Sequence, residues 1–267
     1  MIRIVALYGT GDCYLVCALA RAFEREHKIE PVVVAKASHG AIPEMFGVRW
    51  QLDEDLVRHG EGNLQQCWAH YENRIVDGAT FFAHPHFVRS GARLDQLTLK
   101  WRASQADMYR AILHLSPWAP LDKPTPPQVE RCGGALVITE ARSWPNLPPE
   151  FWSALVGQLR ARGIAVAVND RSRPLSDLLQ DCAAADWIVG PQCGTMAMAC
   201  EMGLPARKIL VARDLADCPY LFGLTESMPY GHCSTFAGTD HPDVDHFVVP
   251  AAAWEPRIED IVERCRR

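Results

Sequence analysis

Several features that would assign the chain to a particular class are absent from this sequence. No run approaches about 18 continuous apolar residues, so no transmembrane helix is expected. The net charge is −5, and the longest basic segment is the short end of the chain, residues 264–267, which argues against nucleic-acid binding. The N-terminus lacks the basic lead and long apolar core of a signal peptide. We therefore expect a cytoplasmic protein.

The cysteines lack the spacing of a metal or redox motif. There are ten of them, scattered singly, and no C-x-x-C pair occurs. Disulfide frameworks belong to short secreted chains, so reduced and mostly buried thiols are expected in a chain of 267 residues. With 48% hydrophobic residues, the chain can form one large domain or two of roughly 130 residues each.

The first half of the chain opens with a β-α-β pattern. An apolar strand is predicted at Arg3–Tyr8, followed by the turn Gly9–Asp12, a helix at Tyr14–Glu26 and a second buried strand at Pro31–Ala35. A short strand within Trp50–Leu56, a strand at Thr80–Ala83 and a helix at Ser104–Leu115 are also expected. This alternation sets the fold class as α/β.

The second half alternates more regularly. Strands are predicted at Ala135–Thr139, Ala165–Asn169, Trp187–Val189, Lys208–Ala212 and Phe247–Val249, with helices at Pro149–Arg162, Leu175–Ala184, Met196–Met202 and Trp254–Arg266. A proline-rich linker, Ser116–Gln128, separates the halves and predicts domains 1–122 and 123–267. Whether the last helix, residues 254–266, packs back on the first domain stays open.

The stretch Gly190–Leu204 is the most informative for function. A buried strand leads into a glycine turn and then a helix, which gathers unpaired backbone N–H groups and the positive end of the helix dipole at one spot. That spot suits the diphosphate of an activated sugar. The alternative is an ordinary strand–helix turn. Because ligands of α/β sheets sit beyond the carboxyl ends of the strands, this turn and Gly9–Asp12 are predicted to face a cleft between the two domains.

Three short patches resemble bacterial heptosyltransferases, which are ADP-heptose-dependent glycosyltransferases. The first is the opening strand, Gly-Asp turn and helix at Ile4–Phe23. The second is Arg142–Pro145, which is similar to the family's Lys-x-Trp-Pro segment, with the helix that follows from Glu150. The third is Leu175–Gly190. The last leads into a loop that in the family reads Asp-Ser/Thr-Gly-Pro-Met-His. Here Gln192, Cys193, Thr195 and Ala197 depart from that loop, while Gly194 and Met196 match it.

The resemblance implies a GT-B glycosyltransferase with two Rossmann-like parallel-sheet domains facing a cleft. In such an enzyme the first domain binds the acceptor and the second binds the nucleotide-sugar donor. The resemblance further implies an inverting, metal-independent reaction with no cofactor beside the nucleotide sugar. The expected partners are therefore a nucleotide sugar and a glycosyl acceptor.

The resemblance, together with the chemistry of the residues themselves, suggests the site residues. Asp12 is the predicted catalytic base, although an aspartate before a helix is also a good N-cap. Arg142 would grip the diphosphate, or is a solvated loop arginine. The predicted donor-binding set is Arg142, Ser143, Gln192, Cys193, Gly194 and Thr195, and the predicted acceptor-side set is Gly11, His84 and His86.

Two other interpretations remain. His84-Pro85-His86 could contribute to a metal site, but no carboxylate or cysteine follows at ligand spacing, and no metal is predicted. Gly9-Thr10-Gly11 is half of a dinucleotide fingerprint; Tyr14 replaces its third glycine and Lys36 follows the second strand in place of an acid, which makes an NAD(P) oxidoreductase the lesser alternative. A non-catalytic nucleotide-sugar-binding protein is the other.

Overall fold

The structure is a computed structural model that describes residues 1–66, 75–76, 79–83, 105–140, 147–169, 172–191, 193–213, 244–250 and 253–266. It divides into two compact units, the first spanning Met1–Thr125 and the second beginning at Pro126. Each unit contains a five-stranded sheet with helices between the strands, so the predicted α/β class with two parallel-sheet units is confirmed.

The first unit is built on strands β1 (Ile2–Ala6), β2 (Pro31–Ala35), β3 (Trp50–Leu52), β4 (Ile75–Val76) and β5 (Thr80–Ala83), in the order β3-β2-β1-β5-β4. All neighbours are parallel except β4 and β5. The helices are α1 (Thr10–His27), α2 (Ala41–Phe46), α3 (Glu54–Gln66) and α4 (Gln105–Ile112). Strand β1 lies in the middle of the sheet, and its residues Ile4, Val5 and Ala6 are buried, as expected for a strand that is covered on both faces.

Helix α1 forms the core of the first unit. Ten of its residues, from Cys13 to Phe23, are buried, and its amphipathic spacing places them against the sheet and neighbouring helices. It starts at Thr10, four residues before the predicted start at Tyr14, since Asp12 completes the first turn by bonding back to the Gly9 N–H. It ends at His27, and its C-cap Lys28 takes the left-handed conformation (φ 59°).

The second unit is fully parallel where it is described. Its strands are β6 (Ala135–Val137), β7 (Val166–Val168), β8 (Trp187–Gly190), β9 (Arg207–Arg213) and β10 (Val244–Val249), in the order β10-β9-β8-β6-β7. Its helices are α5 (Pro149–Ala161), α6 (Leu175–Ala184), α7 (Gly194–Glu201) and α8 (Glu255–Arg264). Strand β10 begins three residues before the predicted Phe247 and pairs with β9 over six positions.

The last helix belongs to the core of the second unit. Ile258, Ile261 and Val262 of α8 join the same buried cluster as Phe151 and Leu155 of α5. Arg264 also makes two hydrogen bonds to the Asp245 carboxylate of β10, at 2.6 and 2.7 Å. A bidentate pair of this kind fixes the orientation of the helix as well as its position.

Candidate functional site

Each sheet has one position at which the strand order reverses. In the first sheet, the chain runs from β1 outward through β2 and β3 and then returns to the other side of β1 as β5. In the second sheet, β7 lies on one side of β6 and β8 on the other. Ligands of open α/β sheets bind beyond the carboxyl ends of the strands at such switch points. Asp12 follows the loop after β1, in the first turn of α1, and Cys193 and Gly194 follow β8 at the start of α7.

Asp12 lies in the first turn of α1, directly beyond the carboxyl end of β1. Its Oδ2 atom accepts a hydrogen bond from the Gly9 N–H at 3.1 Å, and its Oδ1 atom accepts one from the Tyr109 hydroxyl at 2.5 Å. The residue that precedes the helix is Gly9, so Asp12 is the third helical residue rather than the N-cap. The carboxylate therefore stabilises the start of α1 and is held by a second helix, α4.

The pKa of Asp12 is raised from 3.8 to about 6, mainly because the carboxylate is removed from water. The hydrogen bonds from Tyr109, from the Gly9 N–H and from its own backbone N–H lower the pKa, and the nearby charge of Glu61 raises it. Burial outweighs the hydrogen bonds. A carboxylate tuned toward neutral pH at the end of a central strand has the property that a general base requires.

A second carboxylate lies beside this loop. Glu61 on α3 accepts a hydrogen bond from the Tyr8 N–H at 2.7 Å and forms an ion pair with Lys36 Nζ at 2.6 Å, both through Oε1. The Tyr8 hydroxyl in turn donates to the Glu61 carbonyl oxygen at 3.2 Å. Lys36 follows β2, so Glu61 joins the carboxyl ends of two neighbouring strands.

Helix α3 can place Glu61 there because Gly60 allows it to approach the sheet. A β-carbon at Gly60 would lie 2.5 Å from Phe82 Cδ1 and 2.9 Å from Leu7 Cδ2, both closer than van der Waals contact permits. Phe82 is on β5 and Leu7 follows β1, so the helix crosses the sheet at the same switch point.

The loop after β8 is also shaped by a glycine. A β-carbon at Gly190 would lie 2.8 Å from Ile138 Cβ and 3.1 Å from the Ile138 carbonyl oxygen. The ends of β8 and β6 therefore approach each other as closely as their backbones allow. A side chain at position 190 would therefore push the end of β8 away from β6.

Helix α7 begins two residues earlier than predicted, at Gly194. Cys193 is its N-cap, and its Sγ atom accepts a hydrogen bond from the Met196 N–H at 3.5 Å. The N–H groups of Gly194 and Thr195 lie in the first turn, where no intrahelical acceptor exists. Together with the helix dipole they make this end of α7 suitable for an anionic group.

The predicted site residues divide into two groups. Asp12 and Gly11 lie in the first turn of α1, and Cys193, Gly194 and Thr195 lie at the start of α7. Arg142, Ser143, Gln192, His84 and His86 fall outside the described residues. Their assignment stays a prediction.

Sequence reasoning missed two residues that contact the Asp12 loop. Tyr109 lies within the helix that was predicted at Ser104–Leu115, but neither it nor Glu61 was singled out. The only sequence signal for Tyr109 is a hydroxyl on an otherwise apolar helical face. No local signal marks Glu61, since its partners Tyr8 and Lys36 lie far away along the chain.

The described residues contain neither a metal-binding cluster nor a membrane-spanning helix. Within the described ranges, no group of three or more His, Cys, Asp or Glu side chains is arranged to hold a metal ion. Among the helices of the same residues, none is long and apolar enough to span a bilayer.

Two Rossmann-like units, each with a mainly parallel sheet, are the units from which the GT-B class of fold is built. Comparison with solved structures gives the same result. The chain resembles E. coli heptosyltransferase WaaC with ADP, with a TM-score of 0.55 and 13% identity over 99% of both chains. It also resembles a family 9 glycosyl transferase from Veillonella parvula DSM 2008, with a TM-score of 0.58 and 10% identity over 99% of this chain and 96% of that one.

A third similar structure is longer. The iron-containing dodecameric glycosyltransferase TibC from enterotoxigenic E. coli H10407 has a TM-score of 0.51 and 13% identity, over 79% of this chain and 57% of that chain. The match thus spans little more than half of TibC. No protein-family model and no curated protein matches this chain. At these identities the likeness shows the fold.

Proposed function

We propose that this protein is a glycosyltransferase that moves a sugar from a nucleoside-diphosphate sugar to an acceptor hydroxyl. The observation that carries the proposal is Asp12: a carboxylate at the switch point of the first sheet, hydrogen-bonded through both oxygens, with its pKa raised to about 6. The structures that the chain resembles are glycosyltransferases, which agrees with this chemistry.

Asp12 acts as the general base. With a pKa of about 6 it is mostly ionised at pH 7, yet it is a stronger base than an ordinary aspartate. It takes the proton of the acceptor hydroxyl while the acceptor oxygen bonds to the anomeric carbon. The bond between that carbon and the diphosphate oxygen breaks, and the nucleoside diphosphate leaves with the electron pair. Attack opposite the leaving group inverts the anomeric centre.

The start of α7 stabilises the leaving diphosphate. The N–H groups of Gly194 and Thr195, the Thr195 hydroxyl and the helix dipole supply the positive potential that developing negative charge requires. Arg142 adds a full positive charge, with Ser143, Gln192 and Cys193 completing the donor site, while Gly11, His84 and His86 contact the acceptor. No metal ion takes part in this proposal.

Donor class is tested first by thermal shift with ADP, GDP, UDP, CMP, NAD and NADP. One nucleoside diphosphate is expected to raise the melting temperature by several degrees at about 100 times its Kd, where binding adds about 2.7 kcal/mol. ADP is the first choice, because TibC and WaaC are described in complexes with ADP-linked heptose. Stabilisation by NAD or NADP alone would instead support an oxidoreductase. An unchanged melting temperature with every nucleotide would contradict a donor site.

The base is tested by Asp12→Asn, with Asp53→Asn as the matched control. Asp53 also lies between a strand and a helix of the first sheet, and its Oδ1 atom accepts a hydrogen bond from the Leu56 N–H at 2.9 Å. Asp12→Asn is expected to lower kcat roughly 10²–10⁴-fold without weakening ADP binding. Asp53→Asn is expected to keep transfer within about twofold of the original protein, because asparagine caps a helix equally well. Full transfer by Asp12→Asn would reject the base.

A non-catalytic binding protein is the second candidate. Ala197 stands where the heptosyltransferase loop has histidine, and it is buried in α7. A methyl group at that position supplies neither charge nor a hydrogen bond to a donor. Under this candidate a nucleotide sugar binds, but no nucleoside diphosphate is released from it by the unsubstituted protein.

A further inference from the structure

Tyr109 connects two helices that are distant in the sequence. It lies on α4, 97 residues after Asp12, and its hydroxyl donates to Asp12 Oδ1 at 2.5 Å. The side chain is fully buried, and helix α4 contacts α1 along this line. Because no part of Tyr109 reaches solvent, it does not touch a substrate.

The hydroxyl of Tyr109 is not needed for packing. The other buried positions on this side of α4 and just beyond it, Ala106, Ile112 and Leu113, are apolar. Phenylalanine would fill the same volume, and a buried hydroxyl costs free energy unless it is hydrogen-bonded. Among the described residues, the hydrogen bond that Tyr109 donates is to the Asp12 carboxylate, and this bond explains the presence of tyrosine.

That contact removes the rotational freedom of the carboxylate. The Gly9 N–H holds Oδ2 at 3.1 Å while Tyr109 holds Oδ1, so rotation about the Cβ–Cγ bond would break both hydrogen bonds. The remaining lone pairs then point in fixed directions. Proton transfer depends on such alignment, and small displacements of a reacting group are costly in rate.

We infer that Tyr109 is the positioning residue of the proposed base: its hydroxyl holds the Asp12 carboxylate in the one orientation from which it takes the acceptor's proton. The inference rests on the proposed function, because it gives Tyr109 a role only if Asp12 is the base. Tyr109 itself stays protonated, since burial and then the charge of Asp12 raise its pKa well above the usual range. It therefore remains a donor throughout the reaction.

Other charged or titratable groups also affect the pKa values of Asp12 and Tyr109. In the described part of the chain, Glu61 on α3 acts on Asp12 through its negative charge, and Cys13 on α1 acts on Tyr109. Lys36 is paired with Glu61. None of these replaces the hydrogen bond that Tyr109 donates, so removing the Tyr109 hydroxyl is expected to change the titration of Asp12 directly.

The kinetic test is Tyr109→Phe, with Tyr14→Phe as the control. Tyr14 is a buried tyrosine of α1 that packs edge-on against Phe46, with ring centroids 5.0 Å apart. In Tyr109→Phe, the low-pH limb of kcat/KM is expected to move up by about one pH unit, because a hydrogen bond that favours the ionised carboxylate is lost. On the high-pH plateau, kcat is expected to fall about tenfold with KM unchanged. Tyr14→Phe leaves both unchanged.

A second measurement does not depend on turnover. The Asp12 carboxyl carbon is followed by NMR in protein labelled with ¹³C-aspartate, and its resonance is assigned by its loss in Asp12→Asn. Its titration midpoint is expected to rise by about one pH unit in Tyr109→Phe, a tenfold change in proton affinity, and to stay in place in Tyr14→Phe.

The two measurements separate the possible failures. An unmoved NMR midpoint in Tyr109→Phe overturns the inference, and so does a moved midpoint with an unchanged plateau kcat. Full transfer by Asp12→Asn overturns the proposed base and the role of Tyr109 with it, while the NMR titration still reports the hydrogen bond. A purely structural role would lower the melting temperature of Tyr109→Phe without moving the low-pH limb, which also rejects the inference.

Discussion

The Glu61 carboxylate accepts a hydrogen bond from the Tyr8 N–H at 2.7 Å, at a residue whose φ is 62°. Left-handed backbone is uncommon for a residue with a side chain, and such strain persists only where surrounding contacts hold it. Tyr8 follows β1 and leads directly into the turn before Asp12. Glu61 thus fixes the path by which the chain brings Asp12 to the end of the central strand.

Replacing Glu61 by glutamine is expected to make Asp12 more acidic. The amide oxygen can still accept from the Tyr8 N–H, but the negative charge that raises the Asp12 pKa is gone, and Lys36 loses its counter-charge. Both changes favour the ionised carboxylate. The low-pH limb of kcat/KM should therefore move to lower pH, by less than one unit because Glu61 is the smallest of the causes that act on Asp12.

Glu54→Gln is the control for that prediction. Glu54 lies on the same helix and also accepts a backbone N–H, from Ala37 at 2.9 Å, but it does not act on the Asp12 pKa. Its substitution should leave the limb in place. A shift to higher pH in Glu61→Gln would show that the loop had rearranged and would contradict the electrostatic explanation.

The pKa of Asp12 also predicts how stability depends on pH. The folded pKa of about 6 lies above the ordinary value of 3.8, so between these values the folded protein binds more protons than the unfolded chain. The associated stability is fully present below pH 3.8 and is lost as pH rises through 6. At 1.36 kcal/mol per pH unit, the loss is about 3 kcal/mol.

Urea unfolding of the original protein and Asp12→Asn at several pH values measures this term. The asparagine variant lacks the titration, so its free energy of unfolding relative to the original should increase by up to about 3 kcal/mol between pH 4 and pH 7. Asp53→Asn serves as the reference for the loss of one partly buried charge near a helix start. A constant difference between Asp12→Asn and the original across this range would show that Asp12 is not titrating near 6.

Much of this architecture could be predicted from local patterns. Continuous apolar runs gave the central strands β1, β2 and β8, and glycine turns at their ends located both switch-point loops. Helix α3 was missed because Gly60 and Gly62 interrupt its helical pattern, although Gly60 is what allows the helix to pack closely. Gly60 thus weakens the helical pattern in the sequence and, in the structure, permits the close packing of α3 against the sheet.

The partners of Asp12 could not be predicted from the sequence. The aspartate itself was identified from its place in the turn and the resemblance, but its pKa depends on Tyr109 and Glu61, which lie 97 and 49 residues away along the chain. Such contacts depend on how α3 and α4 pack around β1. Only the tertiary structure shows that the Tyr109 hydroxyl lowers the pKa of Asp12 while the Glu61 carboxylate raises it.

Two glycines of the second unit make a matched pair for testing the proposed donor site. Gly190→Ala places a β-carbon 2.8 Å from Ile138 Cβ, and overpacking of this kind costs roughly 1–3 kcal/mol. Gly203→Ala has open space but a φ of 63°, which costs roughly 1–2 kcal/mol for alanine. Both variants should unfold at lower urea concentration.

ADP binding should distinguish them. Gly190 sets the position of the loop before α7, so its substitution is expected to reduce the thermal shift by ADP. Gly203 follows the opposite end of α7, and its variant should keep the shift of the original protein. Equal loss of the shift in both variants would attribute the effect to general destabilisation and would remove support for a donor site at this loop.

The last prediction concerns the two glycines of α3 that flank Glu61. At Gly62 no atom lies within 4 Å of an added β-carbon, and alanine in a helix interior is favoured over glycine by about 0.8–1.0 kcal/mol, so Gly62→Ala should raise the free energy of unfolding by about that amount. At Gly60 the same methyl group would overlap Phe82 and Leu7, and the cost of overpacking, roughly 1–3 kcal/mol, exceeds the gain in helix propensity. Gly60→Ala should therefore lower the free energy of unfolding, measured by urea denaturation beside Gly62→Ala. Two changes of the same sign would mean that α3 does not approach the sheet at Gly60, and Glu61 would then lack the support that brings it to Tyr8.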